Sequence, residues 1–443
     1  MNLTPEQQEL GRRNFLRALA GTPALAALGT AAALKGPIRG GPVRLGYIGL
    51  GGQGRVLLDQ TDPRFGEVVA LCDINPAQLR LADEALAKKS RAGVPHYAEW
   101  REMLEKERIE GVVIAAPLWM HADIAVGCLE AGKHVLCEKM MAWDEDGCRR
   151  MAEAARKAGR VLEIGYQRCY NPVYQAAHTG IVRAGLLGEV YHARLVWHRN
   201  GNWRRQGEPP SPDYDPSRWG YPSFEHLLNW RLYRRYSKGL LAELGSHQVG
   251  VTDWFFGGVP EAVSGTGGVF RFKDGREVED HVYVIFEYPQ GRTAVFTSIE
   301  SNAFDHYYEA LFGTKATLIL RGETEAYLFD ETTKGAPRPT GIDVTPRTGG
   351  PVVDASESRA ADAAGVSGFG SSQRLTERVQ AYRAEVAGFC GSVRTGAPLK
   401  CGVEQARLSA RTCLRAQEAI DRKERLPVRA SDNAYPEPSA SGT

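Results

Sequence analysis

Three features that often indicate function are missing from most of this chain: paired cysteine motifs, a strong net charge and long apolar runs. Its eight cysteines include no Cys-X-X-Cys pair, and the net charge at pH 7 is only +2. Scattered cysteines such as Cys72 and Cys137, which lie in apolar runs, pack as small core residues. We therefore predict no disulfide framework and no metal site. The balanced charge also argues against a nucleic-acid or acidic-membrane partner.

The one apolar run of note lies near the N-terminus. Arg12-Arg13-Asn14-Phe15-Leu16-Arg17 precedes an apolar stretch, Ala18–Leu34, that ends in small residues. This order is typical of a twin-arginine export signal, which we predict over residues 1–36. It predicts a periplasmic or otherwise exported protein with no membrane attachment after cleavage. The alternatives are a retained anchor or an attached amphipathic helix, and Gly21, Pro23 and Gly29 argue against the helix because they interrupt helices.

The rest of the chain has an ordinary globular composition. Of the 443 residues, 43% are hydrophobic and 24% are charged, which is enough for two domains with their own cores. Strand and helix patterns alternate over 43–165 and then give way to long strand-like runs. We predict an α/β Rossmann domain over 43–165 and an α+β domain with an open, mostly antiparallel sheet over 166–426. We also predict that residues 332–373 form a loop arm and that residues 427–443 form a loose tail.

A glycine-rich turn follows the first predicted strand, Val43–Ile48, and precedes a helix. In dinucleotide-binding folds one glycine permits the tight turn, a second lets backbone N–H groups approach a pyrophosphate, and a third lets the helix pack close to the strand. Because the chain has 49 glycines, the strand-turn-helix context supports this interpretation more than the glycines do. The residues assigned to this cofactor turn are Gly49, Gly51, Gly52, Gln53 and Gly54.

The second predicted strand, Val68–Cys72, ends at Asp73 and Ile74, about twenty residues beyond the glycines. A carboxylate at this place accepts hydrogen bonds from the adenosine ribose, so both residues are predicted to contact the cofactor. Asp73 also repels a 2′-phosphate, which favours NAD over NADP. The alternative role for Asp73 is to cap the following helix, although Asn75 is placed to do so.

Two further apolar runs predict parallel strands that end at the same edge of the sheet, where ligands collect. The first ends at Pro117 and is followed by His121, whose alternative role is helix packing. The second ends at Cys137 and leads into Glu138 and Lys139. We predict that Pro117, His121, Glu138 and Lys139 contact the cofactor.

Together these motifs resemble those of the Gfo/Idh/MocA family, named for glucose-fructose oxidoreductase and inositol dehydrogenase. The resemblance runs from about Val43 to Leu320, with further similarity in the C-terminal helices. It implies a nicotinamide cofactor and a second domain that binds the substrate. The motifs are the glycine turn, Cys72-Asp73, Ala115-Ala116-Pro117, Glu138-Lys139 and Gly165-Tyr166-Gln167-Arg168.

The resemblance also implies roles for single residues. In the family a Glu-Lys pair precedes Pro, and the lysine reaches the nicotinamide ribose and the reacting hydroxyl, which implies that role for Lys139; Met140 replaces the Pro. An ammonium group there stabilises developing alkoxide charge. The same resemblance implies a cofactor contact for Gln167 and a substrate contact for Arg168. The alternative for Glu138 and Lys139 is a surface ion pair.

Residues 238–254 read as a helix that carries Glu243 and His247 four positions apart. That spacing places a carboxylate and an imidazole on one helix face, where the carboxylate can raise the basicity of the ring. The family has Asp and His at this spacing. The resemblance therefore implies His247 for proton transfer and Glu243 as its partner or as a substrate contact. The alternative is a packing histidine beside a solvated glutamate.

Aromatic and guanidinium groups alternate upstream of this helix, in Asn202-Trp203-Arg204-Arg205, Arg218-Trp219 and Asn229-Trp230-Arg231. Aromatic faces stack on sugar rings and guanidinium groups bind hydroxyls, so these residues predict a carbohydrate pocket. Trp230 and Arg231 are favoured because they lie nearest the helix, and the alternative role for each Trp is to fasten a loop to the domain. The large sheet further predicts a homo-oligomer, since an exposed face of that size would aggregate.

The leading hypothesis is an exported oxidoreductase that oxidises a hydroxyl of a sugar or glycoside with NAD. Because no free nicotinamide pool exists beyond the membrane, the cofactor would have to be tightly bound and recycled. Returning the hydride to the same molecule would make the reaction redox-neutral, as in NAD-dependent glycosidases, and this is the first alternative. The second is a non-catalytic binding protein that keeps the same fold.

Overall fold

The computed structural model describes residues 1, 3–20, 22, 40–89, 91, 93–332, 344–347, 350–353 and 372–428. The first domain is built on six parallel strands in the order β3-β2-β1-β4-β5-β6. This is the order of a doubly wound dinucleotide-binding sheet, and it confirms the predicted Rossmann domain. The strands are β1 Val43–Ile48, β2 Gly66–Cys72, β3 His96–Tyr97, β4 Gly111–Ile114, β5 His134–Glu138 and β6 Leu162–Gly165.

Helices cover both faces of this sheet because its central strands are apolar and buried. Asn75 caps the second of these helices by accepting a hydrogen bond from the Ala77 amide, as expected. Asp144 caps the last one in the same way through the Gly147 amide. The helices are Gly52–Gln60, Pro76–Ala87, Trp100–Lys106, His121–Glu130 and Glu145–Ala158.

The second domain contains an eight-stranded sheet in the order β13-β12-β11-β7-β10-β9-β8-β16. Only β7 and β10 pair in parallel, so the predicted mostly antiparallel sheet is confirmed. The strands β11 to β13 were not predicted. The strands are β7 Val190–His198, β8 Ala262–Gly268, β9 His281–Glu287, β10 Thr293–Ile299, β11 Tyr307–Gly313, β12 Ala316–Arg321, β13 Glu325–Asp330 and, after a separate hairpin of β14 Val344–Arg347 and β15 Gly350–Val353, β16 Leu426–Pro427.

Helices pack on the inner face of this sheet and form the core between the domains. The predicted C-terminal helices are present as Ser372–Thr395 and Val403–Arg422. Tyr382 and Phe389 of the first pack against Leu45 and Tyr47 of the nucleotide domain, although their helix lies far away in sequence. The remaining helical segments are Gln167–Tyr170, Pro172–Ala177, His178–Val182, Ser217–Trp219, Phe224–Leu228, Trp230–Leu232, Leu241–Gly245, Ser246–Phe256 and Pro289–Gly291.

The N-terminal segment forms a helix, Pro5–Leu19, that packs against β13. Thr4 and Gln7 form a capping box at its start. Gly11, Phe15 and Leu19 are buried at intervals of four residues, which places them on one face. This arrangement matches the attached amphipathic helix that the sequence analysis treated as an alternative.

Other sequence predictions fall largely outside the described residues. This applies to the apolar part of the predicted signal, to most of the predicted arm over 332–373 and to the tail beyond residue 428. The described part of the predicted arm contains the β14–β15 hairpin. The strand β16, at the start of the predicted tail, pairs with β8. All eight cysteines are buried free thiols. In the described part of the chain, no helix has the length and apolarity needed to span a bilayer.

Candidate active site

A cavity of about 1440 Å³ lies between the two domains, at the carboxyl edge of the parallel sheet. Sites for single small ligands usually measure about 300–1,000 Å³, so this one has room for a dinucleotide and a substrate together. One wall is formed by the glycine turn and the ends of β2, β4 and β5. The opposite wall comes from the second domain, between the end of β7 and the helix Ser246–Phe256.

The glycine turn closes the strand end tightly and leaves open space above it. Gly49 has a φ of +86°, and a Cβ there would lie 2.7 Å from the Ala115 backbone. Gly54 has no room for a side chain either, because its Cβ would collide with the Gly49 carbonyl. Around Gly51 and Gly52, by contrast, a Cβ would meet nothing within 4 Å. Gly49, Gly51, Gly52 and Gln53 line the cavity, whereas Gly54 serves close packing of helix and strand.

Asp73 reaches the cavity from the end of β2, and Ile74 lies beside it. The Asp73 carboxylate accepts hydrogen bonds from the backbone N–H groups of Leu50 at 2.6 Å and Asn75 at 2.8 Å. Burial raises the pKa of Asp73 to about 6, despite these two donors. Because Asn75 caps the next helix, the carboxylate of Asp73 remains available to a ligand.

Glu138 and Lys139 leave the end of β5 in different directions. Gln53 donates from Nε2 to Glu138 Oε1 at 2.8 Å, which ties the glycine turn to β5. The ring nitrogens of His121 lie 2.9 Å from the Met140 carbonyl and 3.0 Å from the Ala116 carbonyl. His121 therefore joins the turn after β4 to the turn after β5, and burial lowers its pKa. The Lys139–Met140 peptide bond is cis.

Lys139 crosses the cavity to the second domain. Its Nζ donates to the Glu243 backbone carbonyl at 2.6 Å. That carbonyl lies in a π-helical turn, Leu241–Gly245, directly before the helix Ser246–Phe256. Such turns interrupt the regular helical hydrogen-bond ladder and are frequent at functional sites. Burial lowers the pKa of Lys139, which shifts the group towards proton transfer.

The Glu243 side chain is held by two neighbours in its own domain. Arg231 donates from Nε to Glu243 Oε2 at 3.2 Å, and Ser237 donates to Oε1 at 3.3 Å. The Arg231 guanidinium also lies 4.2 Å above the Trp230 ring. Glu243, Trp230 and Arg231 all line the cavity, as predicted. The Glu243 carboxylate is thus positioned by Arg231 and Ser237.

His247 faces the same cavity one helical turn beyond Glu243. It is 8% exposed and stacks on Trp197, with ring centroids 5.8 Å apart and an interplanar angle of 24°. Trp197 stacks in turn on Tyr307 at 4.9 Å and 15°. The imidazole therefore stands at the end of an aromatic wall of the cavity.

Two predicted contacts are wrong. Arg168 is 2% exposed and forms a buried ion pair network instead of lining the cavity. Its Nε donates to Glu323 at 3.0 Å, and its Nη1 bonds to Glu309. Gln167 is buried as well, and its side chain does not line the cavity. Both residues follow β6 into the core between the domains, because their backbone turns inward there.

Comparison with known proteins decides the family. The model of the oxidoreductase family with an NAD-binding Rossmann fold matches residues 43–166, and the model of the GFO/IDH/MocA C-terminal domain matches residues 176–319. The chain belongs to the Gfo/Idh/MocA oxidoreductase family.

Relatives in this family carry different names. A glycosyl hydrolase family 109 protein of Stenotrophomonas maltophilia is 32% identical over 246 residues, which are 52% of this chain and 53% of the relative. An inositol 2-dehydrogenase of Rubrobacter xylanophilus is 30% identical over 163 residues, or 36% of this chain and 45% of the relative. The chain thus spans about half the length of these relatives or less.

A solved structure extends the fold comparison to nearly the whole chain. The WlbA dehydrogenase of Bordetella pertussis, in complex with NADH and UDP-GlcNAcA, superposes with a TM-score of 0.65 at 19% identity. The match covers 89% of this chain and 100% of WlbA. It confirms the two-domain Gfo/Idh/MocA fold.

The residues of this Gfo/Idh/MocA chain fit a dinucleotide. The helix Gly52–Gln60 starts at the cavity, and no side chain among the described residues caps it. Its first N–H groups are therefore available to a phosphate. Asp73 offers a carboxylate to a ribose at the next strand, and Gly51 and Gly52 leave space between the two. A pyrophosphate along the turn and a ribose at Asp73 follow from this arrangement.

Sequence analysis missed several residues that complete the site. Trp197 on β7, Arg199 directly after it, Tyr307 on β11 and Tyr382 in the helix Ser372–Thr395 line the cavity, although they lie far apart in sequence. Arg199 donates to Glu300 at 2.6 Å and lies 4.5 Å from the Trp203 ring. Only the alternation of apolar and aromatic residues along β7 could have drawn attention to Trp197.

Proposed function

We propose that this protein is an exported oxidoreductase that removes hydride from a hydroxyl-bearing carbon of a sugar or glycoside, with a tightly bound NAD that is recycled in place. The observation that carries the proposal is the hydrogen bond from Lys139 to the Glu243 carbonyl. It brings an ammonium group from the nucleotide domain to the helical turn directly before the helix that carries His247. A hydroxyl placed between them meets an electrostatic stabiliser and a base.

When bound, the nicotinamide supplies the acceptor for the hydride. The protein's own residues do the rest. His247 takes the proton from the substrate hydroxyl, and Trp197 holds the imidazole against the aromatic wall. Lys139 stabilises the negative charge that develops on the same oxygen. Its lowered pKa also allows it to pass a proton onward.

The lining of the cavity supports a carbohydrate substrate. Trp197, Trp203 and Tyr307 contribute aromatic side chains to it, and Arg231 and Glu243 contribute polar groups held in fixed positions. Rigid aromatic surfaces combined with a few placed polar groups suit a sugar ring with several hydroxyls. The inositol dehydrogenase among the relatives acts, by its name, on a polyol.

The cofactor we propose is NAD rather than NADP. Asp73 stands where the adenosine ribose is expected, and a carboxylate there binds the two ribose hydroxyls and repels a 2′-phosphate. Export through the twin-arginine route is proposed from Arg12 and Arg13. Their helix packs against β13 in the full-length chain.

We also propose a homo-oligomer that buries the outer face of the second sheet. Tyr283 is 41% exposed and Ile285 is 47% exposed, and both project from β9 on that face. The N-terminal segment already covers a neighbouring part of the face, where Leu3 packs on Val196 and Tyr308. A second copy of the chain would cover the rest.

A redox-neutral glycosidase is the second candidate function, favoured by the glycosyl hydrolase family 109 relative. A transient ketone acidifies the neighbouring C–H bond, so that Lys139 or His247 can remove that proton and the leaving group departs as a C=C bond forms. Water then adds to this double bond, and the hydride returns to the ketone carbon. The net reaction is then hydrolysis without net oxidation.

Incubating the purified protein with a panel of glycosides, without added cofactor, tests these proposals together. A ketone or an oxidised sugar indicates the oxidoreductase, and a released aglycone indicates the glycosidase. Turnover of neither kind, by a protein shown to contain NAD, supports a binding protein and refutes both enzymatic proposals. Mass spectrometry of the supernatant after denaturation is expected to find about one NAD per chain.

A further inference from the structure

A long connection of the second domain crosses the cavity and reaches the nucleotide domain. We call this segment, residues 199–236, the strap; it begins directly after β7. Its aromatic residues share a buried cluster with Ile74 and Trp119 of the nucleotide domain. The strap therefore forms the wall of the cavity that faces the glycine turn.

Two specific contacts fasten the strap at opposite parts of the nucleotide site. Tyr214 donates its hydroxyl to the Ile74 carbonyl at 2.9 Å, directly beside Asp73. Trp119, just after Pro117, donates its indole N–H to the Tyr221 hydroxyl at 3.1 Å. The Trp119 ring also packs edge-on against Tyr221, with centroids 5.9 Å apart. A dinucleotide lying along the strand ends is thus covered from its adenosine end to its middle.

Near its start, before both of these contacts, the strap contributes Arg205 to the cavity lining. Its backbone is clamped by the buried Asn229 side chain, which accepts from the Arg205 amide at 2.6 Å and donates to its carbonyl at 3.2 Å. Within the described residues, nothing accepts a hydrogen bond from its guanidinium. The side chain is exposed, yet burial lowers its pKa, because the surface that it exposes lies in the cavity.

The charges around Arg205 show which ligand it suits. Burial is the main cause of its lowered pKa, followed by repulsion from Arg231 and then from Arg55, while Glu243 acts in the opposite direction. Arg55 directly follows the last glycine of the turn, and Arg231 and Glu243 lie at the reaction centre. Arg205 thus lines the same cavity as the phosphate-binding turn and the reacting groups, within electrostatic reach of two other cations that repel it. An anion at that point relieves the repulsion.

We infer that the strap retains the cofactor in this protein, and that the Arg205 guanidinium binds the cofactor pyrophosphate from the side opposite the glycine turn. This inference rests on the proposed function, since it takes NAD to be the occupant. It adds a cationic contact to a turn that otherwise offers only backbone N–H groups. It also gives a physical reason for a cofactor that stays bound where none can be replaced.

The test is exchange of bound NAD⁺ for isotopically labelled NAD⁺ in the full-length protein, followed by mass spectrometry of the released nucleotide. Arg205→Gln is expected to speed exchange about ten- to a hundredfold, because it removes a charge-assisted hydrogen bond. Arg235→Gln is the matched control, since Arg235 belongs to the same strap but lies over the Tyr236 ring and does not line the cavity. Tyr214→Phe removes only the hydroxyl bonded to Ile74 and is expected to speed exchange about two- to tenfold.

Equal exchange rates in Arg205→Gln and Arg235→Gln, with both variants unfolding at the wild-type temperature, overturn the inference. An Arg205→Gln variant that raises the substrate KM and leaves exchange unchanged also overturns it, since Arg205 then binds substrate. If Arg205→Gln does not fold, Tyr214→Phe decides: wild-type exchange in that variant refutes the strap. A wild-type protein that neither contains nor binds NAD⁺ refutes the proposed function instead.

Discussion

Replacing Phe15 by Ala tests whether the N-terminal helix is part of the working protein. Phe15 is 3% exposed and belongs to the main core cluster, on the helix face that packs against β13. Truncating a buried phenylalanine to alanine costs about 3–5 kcal/mol of stability. For a domain of this size each kcal/mol corresponds to about 2–4 °C, so the melting temperature should fall by about 6–20 °C.

The neighbouring Leu16 provides the matched control. It is 45% exposed on the other side of the same helix, so Leu16→Ala should change stability by no more than about 0.5 kcal/mol. The assay is thermal unfolding of the full-length protein, monitored by circular dichroism, for wild type and both variants. Equal melting temperatures for Phe15→Ala and Leu16→Ala would refute a docked helix.

The same pair of variants bears on export. Arg12 lies 3.6 Å from Glu325 and its side chain remains 56% exposed, so the docked helix still presents the twin arginines to solvent. If export removes residues 1–36, the exported protein should have a lower mass, and the two variants should then melt identically. If the segment is retained, the difference between Phe15→Ala and Leu16→Ala should persist in the exported form. The intact mass and melting temperature of the exported protein distinguish the two outcomes.

Further expectations follow from single contacts in the structure. Lys139→Ala should lower kcat by about 10²–10³-fold in steady-state assays, because it removes the stabiliser of the developing alkoxide. His247→Ala should lower kcat by about 10²–10⁴-fold, and added imidazole should partly restore it. Arg168→Met should cost about 3–5 kcal/mol in denaturant unfolding, because two buried carboxylates lose their cation, while the substrate KM stays unchanged. Calorimetry should show NAD affinity falling as the pH falls through about 6, where Asp73 becomes protonated and loses its capacity to accept from ribose hydroxyls, and Asp73→Asn should abolish this dependence. Ile285→Lys should reduce the molecular mass measured by light scattering to that of a monomer.

Each of these expectations has a contradicting result. Full activity of Lys139→Ala or His247→Ala would remove that residue from the chemistry. A raised KM with unchanged stability in Arg168→Met would restore the substrate contact that the structure denies. An Asp73→Asn variant with the wild-type pH dependence would assign the titration to another group. An unchanged mass for Ile285→Lys would place any interface elsewhere.

Much of the nucleotide domain was predictable because its signals are local. The pyrophosphate-binding motif consists of a strand, a glycine turn and a helix that follow one another directly in the chain. Gly49 and Asp73 each come directly after a strand, and these two strands pair in the same parallel sheet. The carboxyl ends of parallel strands meet at one edge, so Pro117 and Lys139 could be assigned to the cavity from their positions alone.

Arg168 shows where such reasoning fails. Its partners, Glu309 and Glu323, lie more than a hundred residues further along the chain, and no local pattern reveals that they meet a guanidinium group. Without them, an arginine after a strand of the nucleotide domain looks like a ligand contact. The strap is a similar case, because the hydrogen bond between Tyr214 and Ile74 depends on the packing of the second domain against the nucleotide domain.

The sequence by itself predicted the Rossmann domain, the glycine turn and, through the family resemblance, Lys139 and His247 as the candidate reacting groups, since each of these motifs consists of residues that lie close together in the chain. Only the tertiary structure decided that Lys139 reaches the Glu243 carbonyl, that Arg168 pairs with two buried carboxylates and that Arg205 lines the cavity. The physical reason is that burial and pairing of charge depend on which distant segments pack together. Periodicity and spacing along a single segment do not predict that packing.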